Sequence, residues 1–278
     1  MTDKELKVKS LVYRASTLQL IVRAGAGHTG GDLSLIDILN VLYNRVLRVA
    51  PDRMADPDRD RYVQSKGHCV EALYTVLADR GFFPAEELET LGRYGSHFIG
   101  HPTRAVPGIE HNTGALGHGL AVAVGMALAA RMDGRPYRVF TVLGDGELDE
   151  GSNWEASLAA AHYRLDNLVV IIDRNGLQIT GPTEQVNGLE PLGEKFRAFG
   201  YAVRQVDGND VVALSSALES VPFEAGKPSL LMAHTVKGKG VSFMENQAGW
   251  HHRVPTAEEL QQALGELAAA RRALEEAQ

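Results

Sequence analysis

The chain has 278 residues, 44% of them hydrophobic, one cysteine and a formal net charge of −7. That length suits one large α/β domain or two small ones with a full core, and the acidic balance argues against a nucleic-acid partner, which calls for a basic excess or stripe. The lone Cys69 excludes an intrachain disulfide and a cysteine-based zinc cluster; with no bilayer-length apolar run and no basic-then-apolar start, the expectation is a cytoplasmic protein with no membrane contact.

Residues 2–23 predict a helix, with Leu6, Leu11, Leu18, Ile21 and Val22 spaced among Lys and Arg. Gly25, Gly27, Gly30 and Gly31 are expected to break it. Helical periodicity returns from Ser34 to Leu47 through Leu35, Ile38, Leu39, Leu42 and Val46. A Pro-, Asp- and Arg-rich surface loop covers 51–60, followed by a short strand over Arg61–Ser65 and a helix over Val70–Arg80. Residues 92–119 hold seven glycines, with His97, His101, His111 and His118 among them. A stretch so rich in glycine is not regular structure, and it is too long for a mere connector, so a functional loop is expected. A small-residue helix covers Leu120–Ala130. A strand, a Gly-rich loop and a helix then follow at 139–162 and again at 168–200, with further strands at 201–206 and 229–235. Strands alternating with helices predict an α/β fold: a three-layer α/β/α domain with a mostly parallel sheet buried on both faces. The tail from Thr256 to Gln278 predicts a helix, capped at Thr256 with acids in its first turn. No linker divides residues 1–278 into two domains.

Two features suggest chemistry. The strand Val139–Leu143 ends in Gly144-Asp145-Gly146-Glu147, and the next apolar run ends in Asp173-Arg174-Asn175. A carboxylate and an amide at the ends of neighbouring parallel strands can hold a hard divalent cation and an anionic group, although Gly-Asp-Gly can also be a plain strand-to-loop turn. The second feature is the placement of histidines beside glycines in loops: Gly27-His28, Gly67-His68, Gly100-His101 and Gly117-His118. Glycine lets a ligand approach, and histidine serves as proton shuttle, donor or ligand. A loop histidine bonded only to backbone is the competing reading for each. None has the close spacing of a zinc site. Cys69 beside His68 is no nucleophile pair, because adjacent residues of a regular element face apart.

Taken in order, these stretches resemble the N-terminal, diphosphate-binding half of transketolase, and more narrowly the N-terminal subunit of bacterial split transketolases. The resemblance rests on Gly27-His28-Thr29-Gly30-Gly31, Asp60 through His68, Gly100-His101-Pro102, Pro107-Gly108-Ile109-Glu110, Thr113 through Gly119, Gly144-Asp145-Gly146-Glu147, Asp173-Arg174-Asn175, Lys237-Gly238-Lys239-Gly240 and Trp250-His251.

The resemblance implies the thiamine-diphosphate-binding fold and a role for each matching position. Asp145, Asn175 and the carbonyl of Leu177 would bind Mg²⁺, with Ca²⁺ or Mn²⁺ as substitutes. Gly146 would offer its N–H to the diphosphate, with Lys237 adding positive charge. His68 and His251 would face the diphosphate side or the reacting hydroxyl. Gly114 and Leu116 would line the rings of thiamine diphosphate. His28 and His101 would point at substrate hydroxyls, and Glu150 resembles a glutamate at the family's dimer contact. In the family a glutamate that activates the cofactor's aminopyrimidine lies in a following pyrimidine-binding domain. The sequence stops before that domain, so the resemblance implies a partner: a C-terminal transketolase subunit carrying the pyrimidine-binding and C-terminal domains, in an α2β2 heterotetramer acting on sugar phosphates.

Some positions depart from the family. His118 stands where glutamine is usual and His252 where glycine follows Trp-His, and Ser96-His97-Phe98 and His111-Asn112 are also unusual. These gather near the expected substrate entrance and leave the donor open among sugar phosphates, a branched pentulose phosphate such as apulose 4-phosphate, and a sulfo-sugar. Two other readings compete. The α-subunit of a 2-oxo-acid dehydrogenase component shares the Gly-Asp-Gly…Asn pair, but Gly27-His28, Ser65 through His68 and Trp250-His251 weigh against it. A non-catalytic regulatory relative is disfavoured by the intact metal pair.

Overall fold

The computed structural model describes residues 1–276. Helix α1 (Asp3–Ala24) opens with a capping box in which the Thr2 hydroxyl accepts from Glu5 N–H at 3.2 Å and the Glu5 carboxylate accepts from Thr2 N–H at 2.6 Å. It closes on Gly25 at φ 67°, a left-handed position that suits glycine. Helix α2 (Thr29–Val41) then passes into a π turn over Leu42–Val46. The glycines at 30 and 31 are therefore not breakers, as the sequence suggested, but the first turn of α2. The reason is crowding: a Cβ on Gly30 would lie 2.9 Å from the Trp250 carbonyl, and one on Gly31 2.7 Å from Cys69 Sγ.

The remaining elements follow in order: β1 (Arg61–Gln64), α3 (Val70–Asp79), α4 (Gly119–Met132), β2 (Val139–Gly144), α5 (Gly151–His162) and β3 (Leu168–Arg174). Then come the two-residue strands β4 (Leu177–Gln178) and β5 (Gly181–Pro182), the single turn α6 (Thr183–Val186), α7 (Leu192–Phe199), β6 (Ala202–Asp207), α8 (Val211–Glu219), β7 (Ser229–His234) and α9 (Ala257–Glu276). Helix α8 was not anticipated from the sequence. The end of the expected 256–278 helix, at 277 and 278, lies outside the described residues. Among those residues no helix is long and apolar enough to cross a membrane.

The central sheet runs β1-β2-β3-β7-β6, every pair parallel. Strand residues alternate between two cores. Phe140, Val142, Val169, Ile171 and Leu231 pack with α2, α3 and α8, while Val139, Leu143, Val170, Ile172 and Leu230 pack with α4, α5 and α7. Two-sided burial of Val, Leu and Ile, each stabilising by about 1.5–3 kcal/mol, explains why these strands are uniformly apolar and gives the three-layer arrangement. A third cluster, Leu18, Leu33, Val241, Met244, Trp250, Ala263 and Leu267, fastens α9 and the Trp250 loop against α1 and α2. Parallel strands aim their carboxyl ends to one side. That side receives the turns after β1, β2, β3 and β7, the position where open α/β sheets place ligands.

Candidate active site

A cavity of about 450 Å³ opens over these strand ends. The turn after β1 brings Lys66 and His68 to it, the turn after β2 Asp145 and Gly146, the turn after β3 Asn175 and Leu177, and the segment after β7 Lys237 and His251. His28 enters from the start of α2, and the irregular segment before α4 delivers His101, Gly114 and Leu116. Every residue singled out above as catalytic, cofactor-binding or metal-binding thus lines one cavity. Departing positions are less uniform: His252 packs beside His28 with ring centres 4.6 Å apart, while His111 and His118 line a separate groove beside Ser65.

The cavity floor is a hydrogen-bonded lattice of buried charges. Asp145 Oδ2 accepts from Gly176 N–H at 2.6 Å and from Arg174 at 3.1 Å, which folds the β3 turn onto the end of β2. Arg174 also holds Thr183, Glu184 and Glu190. Asn175 Oδ1 accepts from Leu177 N–H at 3.1 Å. The Leu177 carbonyl accepts from Lys237 Nζ at 2.9 Å, and the same ammonium lies 2.7 Å from His251 Nδ1. That contact makes Nδ1 the acceptor and puts the ring proton of His251 on Nε2. His28, His68 and His251 pack edge-on, with ring centres 4.8–5.7 Å apart.

Burial keeps these imidazoles neutral. It lowers His28 to about 4, assisted by His252 and His101, lowers His251 to about 3, assisted by Lys237, and carries His68 well below the usual value. Lys237 is lowered to about 8 by burial and by the Lys66 charge. Burial and the nearby Asp173 raise Asp145, with the Gly176 N–H and Arg174 opposing.

Three supporting residues went unassigned in the sequence reading. Lys66 and Asp173 form a buried ion pair; Asp173 also accepts from Ser34 at 2.6 Å and from Thr235. Glu147 joins three segments, accepting from Ser65, from Gly117 N–H at 2.9 Å and from Gly144 N–H at 3.0 Å. All three lie inside the quoted motifs, but a pairing across 107 residues leaves no periodic trace. Cys69 is buried, its thiol pushed well up by burial, and it faces α2 rather than the cavity.

The donors fit a divalent cation with a diphosphate. A carboxylate, an amide and a backbone carbonyl are the hard oxygen ligands that Mg²⁺ takes. Lys237 is 2% exposed and, among the described residues, has no carboxylate within ion-pair distance, so an anion would compensate its charge. Gln178 Oε1, beside Gly146, is buried without a hydrogen-bond partner.

A mostly parallel sheet with this site at its strand ends defines a thiamine-diphosphate-binding domain of transketolase type. The family described as "Transketolase, thiamine diphosphate binding domain" matches residues 7–270, and the chain belongs to it. One of the two subunits of an apulose-4-phosphate transketolase from Phocaeicola vulgatus is 49% identical over 267 residues, covering 96% of this chain and 95% of that protein. A 6-deoxy-6-sulfo-D-fructose transketolase subunit from a Clostridium species is 44% identical over 264 residues, with 95% and 96% covered. The crystal structure of transketolase from Campylobacter jejuni superposes with a TM-score of 0.89 at 29% identity, covering 99% of this chain and 46% of that one. The chain thus spans nearly half of that solved transketolase. These relatives match the transketolase reading and not the 2-oxo-acid dehydrogenase one.

Proposed function

We propose that this chain is the diphosphate-holding subunit of a two-chain transketolase that moves a two-carbon ketol unit from a ketose donor to an aldose acceptor. The observation that carries the proposal is the convergence of His28, His68, His101, His251, Asp145, Asn175 and Lys237 on one cavity. Asp145, Asn175 and the Leu177 carbonyl hold Mg²⁺, or Ca²⁺ or Mn²⁺ in its place. Gly146 N–H and the Lys237 ammonium take the diphosphate, and Gly114 and Leu116 flank the rings. When bound, thiamine diphosphate supplies the electron sink for breaking a carbon–carbon bond beside a carbonyl. Neutral His28 and His101 orient donor hydroxyls and can accept or return a proton there; His68 and His251 present N–H donors on the cofactor side. The partner is a C-terminal subunit bearing the pyrimidine-binding domain, in an α2β2 assembly in the cytoplasm, with Glu150, exposed at the start of α5, at the contact between copies of this chain.

The donor is a ketose with an anionic far end. The 49% identity to an apulose-4-phosphate transketolase chain, against 44% to a sulfo-fructose one, favours a branched pentulose phosphate. The test is reconstitution. The purified chain should show no ketol transfer alone and gain it when mixed with thiamine diphosphate and the partner subunit. Turnover by the chain alone, free of host transketolase, would refute the two-chain reading. A reconstituted complex that processes 2-oxo acids but no ketose would refute the reaction class.

A further inference from the structure

Two buried carboxyls lie behind the histidines and have no part in the scheme above. Asp32, in the first turns of α2, is 0% exposed, and Glu71, in the first turn of α3, is 3% exposed. Their helices start at the active site, and both lack a cap from their own N-cap residue. Helix α2 has His28 in that position and α3 has Cys69, directly after His68, and neither side chain makes a capping bond. The residue types that cap best are Ser, Thr, Asp and Asn, so placing a functional histidine at the helix start leaves the first N–H groups to another donor of oxygen. Asp32 supplies it. Its Oδ1 accepts from Ala72 N–H of α3 at 2.9 Å, and its carboxylate also faces the N–H of His28. One carboxylate therefore ties the start of α2 to the start of α3, and with them His28 to His68.

We infer that Glu71 acts as the neutral, proton-bearing partner of Asp32, and that this acid–carboxylate pair is a positioning device setting the relative placement of His28 and His68. The Glu71 carboxyl meets that of Asp32, and apart from this contact Asp32 Oδ2 and Glu71 Oε2 have no hydrogen-bond partner. Two buried carboxylates in contact cannot both stay ionised; a proton shared between them satisfies both orphaned oxygens. The surroundings decide which one keeps it. Asp32 has two backbone N–H groups and the field of Lys66, which favour its anion. Glu71 has burial and the Asp32 charge, which hold its carboxyl well above the usual range. The other groups around the pair are Cys69 in the turn, the Tyr74 phenol on α3 and, from α1, the apolar Ile21. Lys66 cannot neutralise Glu71, because its ammonium is committed to Asp173 and the Gly31 carbonyl. Removing the shared proton at alkaline pH puts two negative charges in contact between α2 and α3 and pushes His28 and His68 apart.

The structural part of this inference stands apart from the proposed function; its effect on catalysis rests on that reading. The test therefore begins with the full chain alone, without cofactor, by infrared difference spectroscopy of wild type against Glu71→Gln. The amide of the variant keeps a donor for Asp32 but carries no titratable proton. The expected result is a protonated-carboxyl C=O band in the wild type at neutral pH, absent from Glu71→Gln and vanishing from the wild type as pH rises, together with a steeper alkaline fall in melting temperature than the variant shows. A wild-type spectrum lacking that band, or a band unchanged in Glu71→Gln, overturns the inference even if the transketolase reading holds. In the two-chain complex, each pH profile of kcat/KM is scaled to its own maximum. The alkaline limb should move to higher pH in Glu71→Gln, whereas Glu71→Ala, with no donor for Asp32, should lose kcat/KM several-fold near neutrality and not regain it. Coincident alkaline limbs for wild type and Glu71→Gln overturn the positioning role.

Discussion

Asp145 and the histidines separate holding from chemistry at the scale of single residues. The Asp145 carboxylate is the one charged oxygen donor of the proposed metal set, so Asp145→Asn should weaken the dication and thiamine diphosphate together. The loss should be roughly 3–5 kcal/mol, the scale of breaking a buried charge pair, and calorimetry on the reconstituted complex should read it; normal cofactor binding would mean the metal lies elsewhere. A hydroxyl contact that tightens as a bond breaks acts in the transition state. His28→Ala and His101→Ala should therefore lower kcat/KM, by about 10²–10⁴-fold where proton transfer is involved, with cofactor affinity nearly unchanged. His68→Ala should weaken the cofactor as well. If the four histidines only brace loops, the variants will melt earlier and turn over normally. Neutral burial also has a consequence for stability. His28, His68 and His251 all titrate below the usual 6.5 in the folded chain. Above that pH both folded and unfolded chains leave them neutral. Below it the unfolded chain takes up protons that the folded chain refuses, so stability is present above pH 6.5 and lost as pH falls toward the folded values. The melting temperature of the free chain should drop between pH 6.5 and 5, less steeply in His28→Ala; equal slopes would show that His28 is not held neutral.

Helix α2 shows how an element serves the site. Its start must approach the Trp250–His252 loop more closely than any side chain allows, and Gly30 makes that approach possible. A methyl there would also meet Lys237 Cγ at 3.0 Å. Gly30→Ala should therefore destabilise the chain by about 1–3 kcal/mol, the usual cost of overpacking a filled site, and should displace His251 and Lys237 as well. Urea unfolding combined with cofactor titration of the complex would check both; a variant of wild-type stability and affinity would show that the loop yields freely. The same crowding explains a misreading. Four glycines within seven residues read as a break, because glycine lowers helix propensity. Two of them instead open the helix, where tertiary packing needs the missing Cβ more than the backbone needs the propensity.

For the whole molecule, the open cavity and the split of the family's site between two chains lead to a linkage argument. If the diphosphate is held by this chain and the pyrimidine by the partner, thiamine diphosphate should bind the mixture more tightly than this chain alone. By reciprocity it must then tighten the association of the two chains by the same factor. Calorimetry of the cofactor and of the subunit titration, each with and without the third component, gives both factors. Equal affinity of the cofactor for chain and mixture would show that the site does not span the interface.

Much of the molecule is legible in the amino-acid sequence. The apolar runs ending in Gly144-Asp145-Gly146 and in Asp173-Arg174-Asn175, between helices of 3.6-residue period, are local patterns. They announce a doubly covered parallel sheet and the residues at its strand ends. The candidate site residues were legible for the same reason, since each sits in a short motif beside a glycine. What only the tertiary structure decided are the partnerships. Lys66 with Asp173, Glu147 with Ser65 and Gly117, Lys237 with Leu177 and His251, and Asp32 with Ala72 and Glu71 join residues far apart in the chain. A buried charge has no preferred sequence spacing to its partner. The sheet order brings the two together, and burial then fixes which of them keeps its proton.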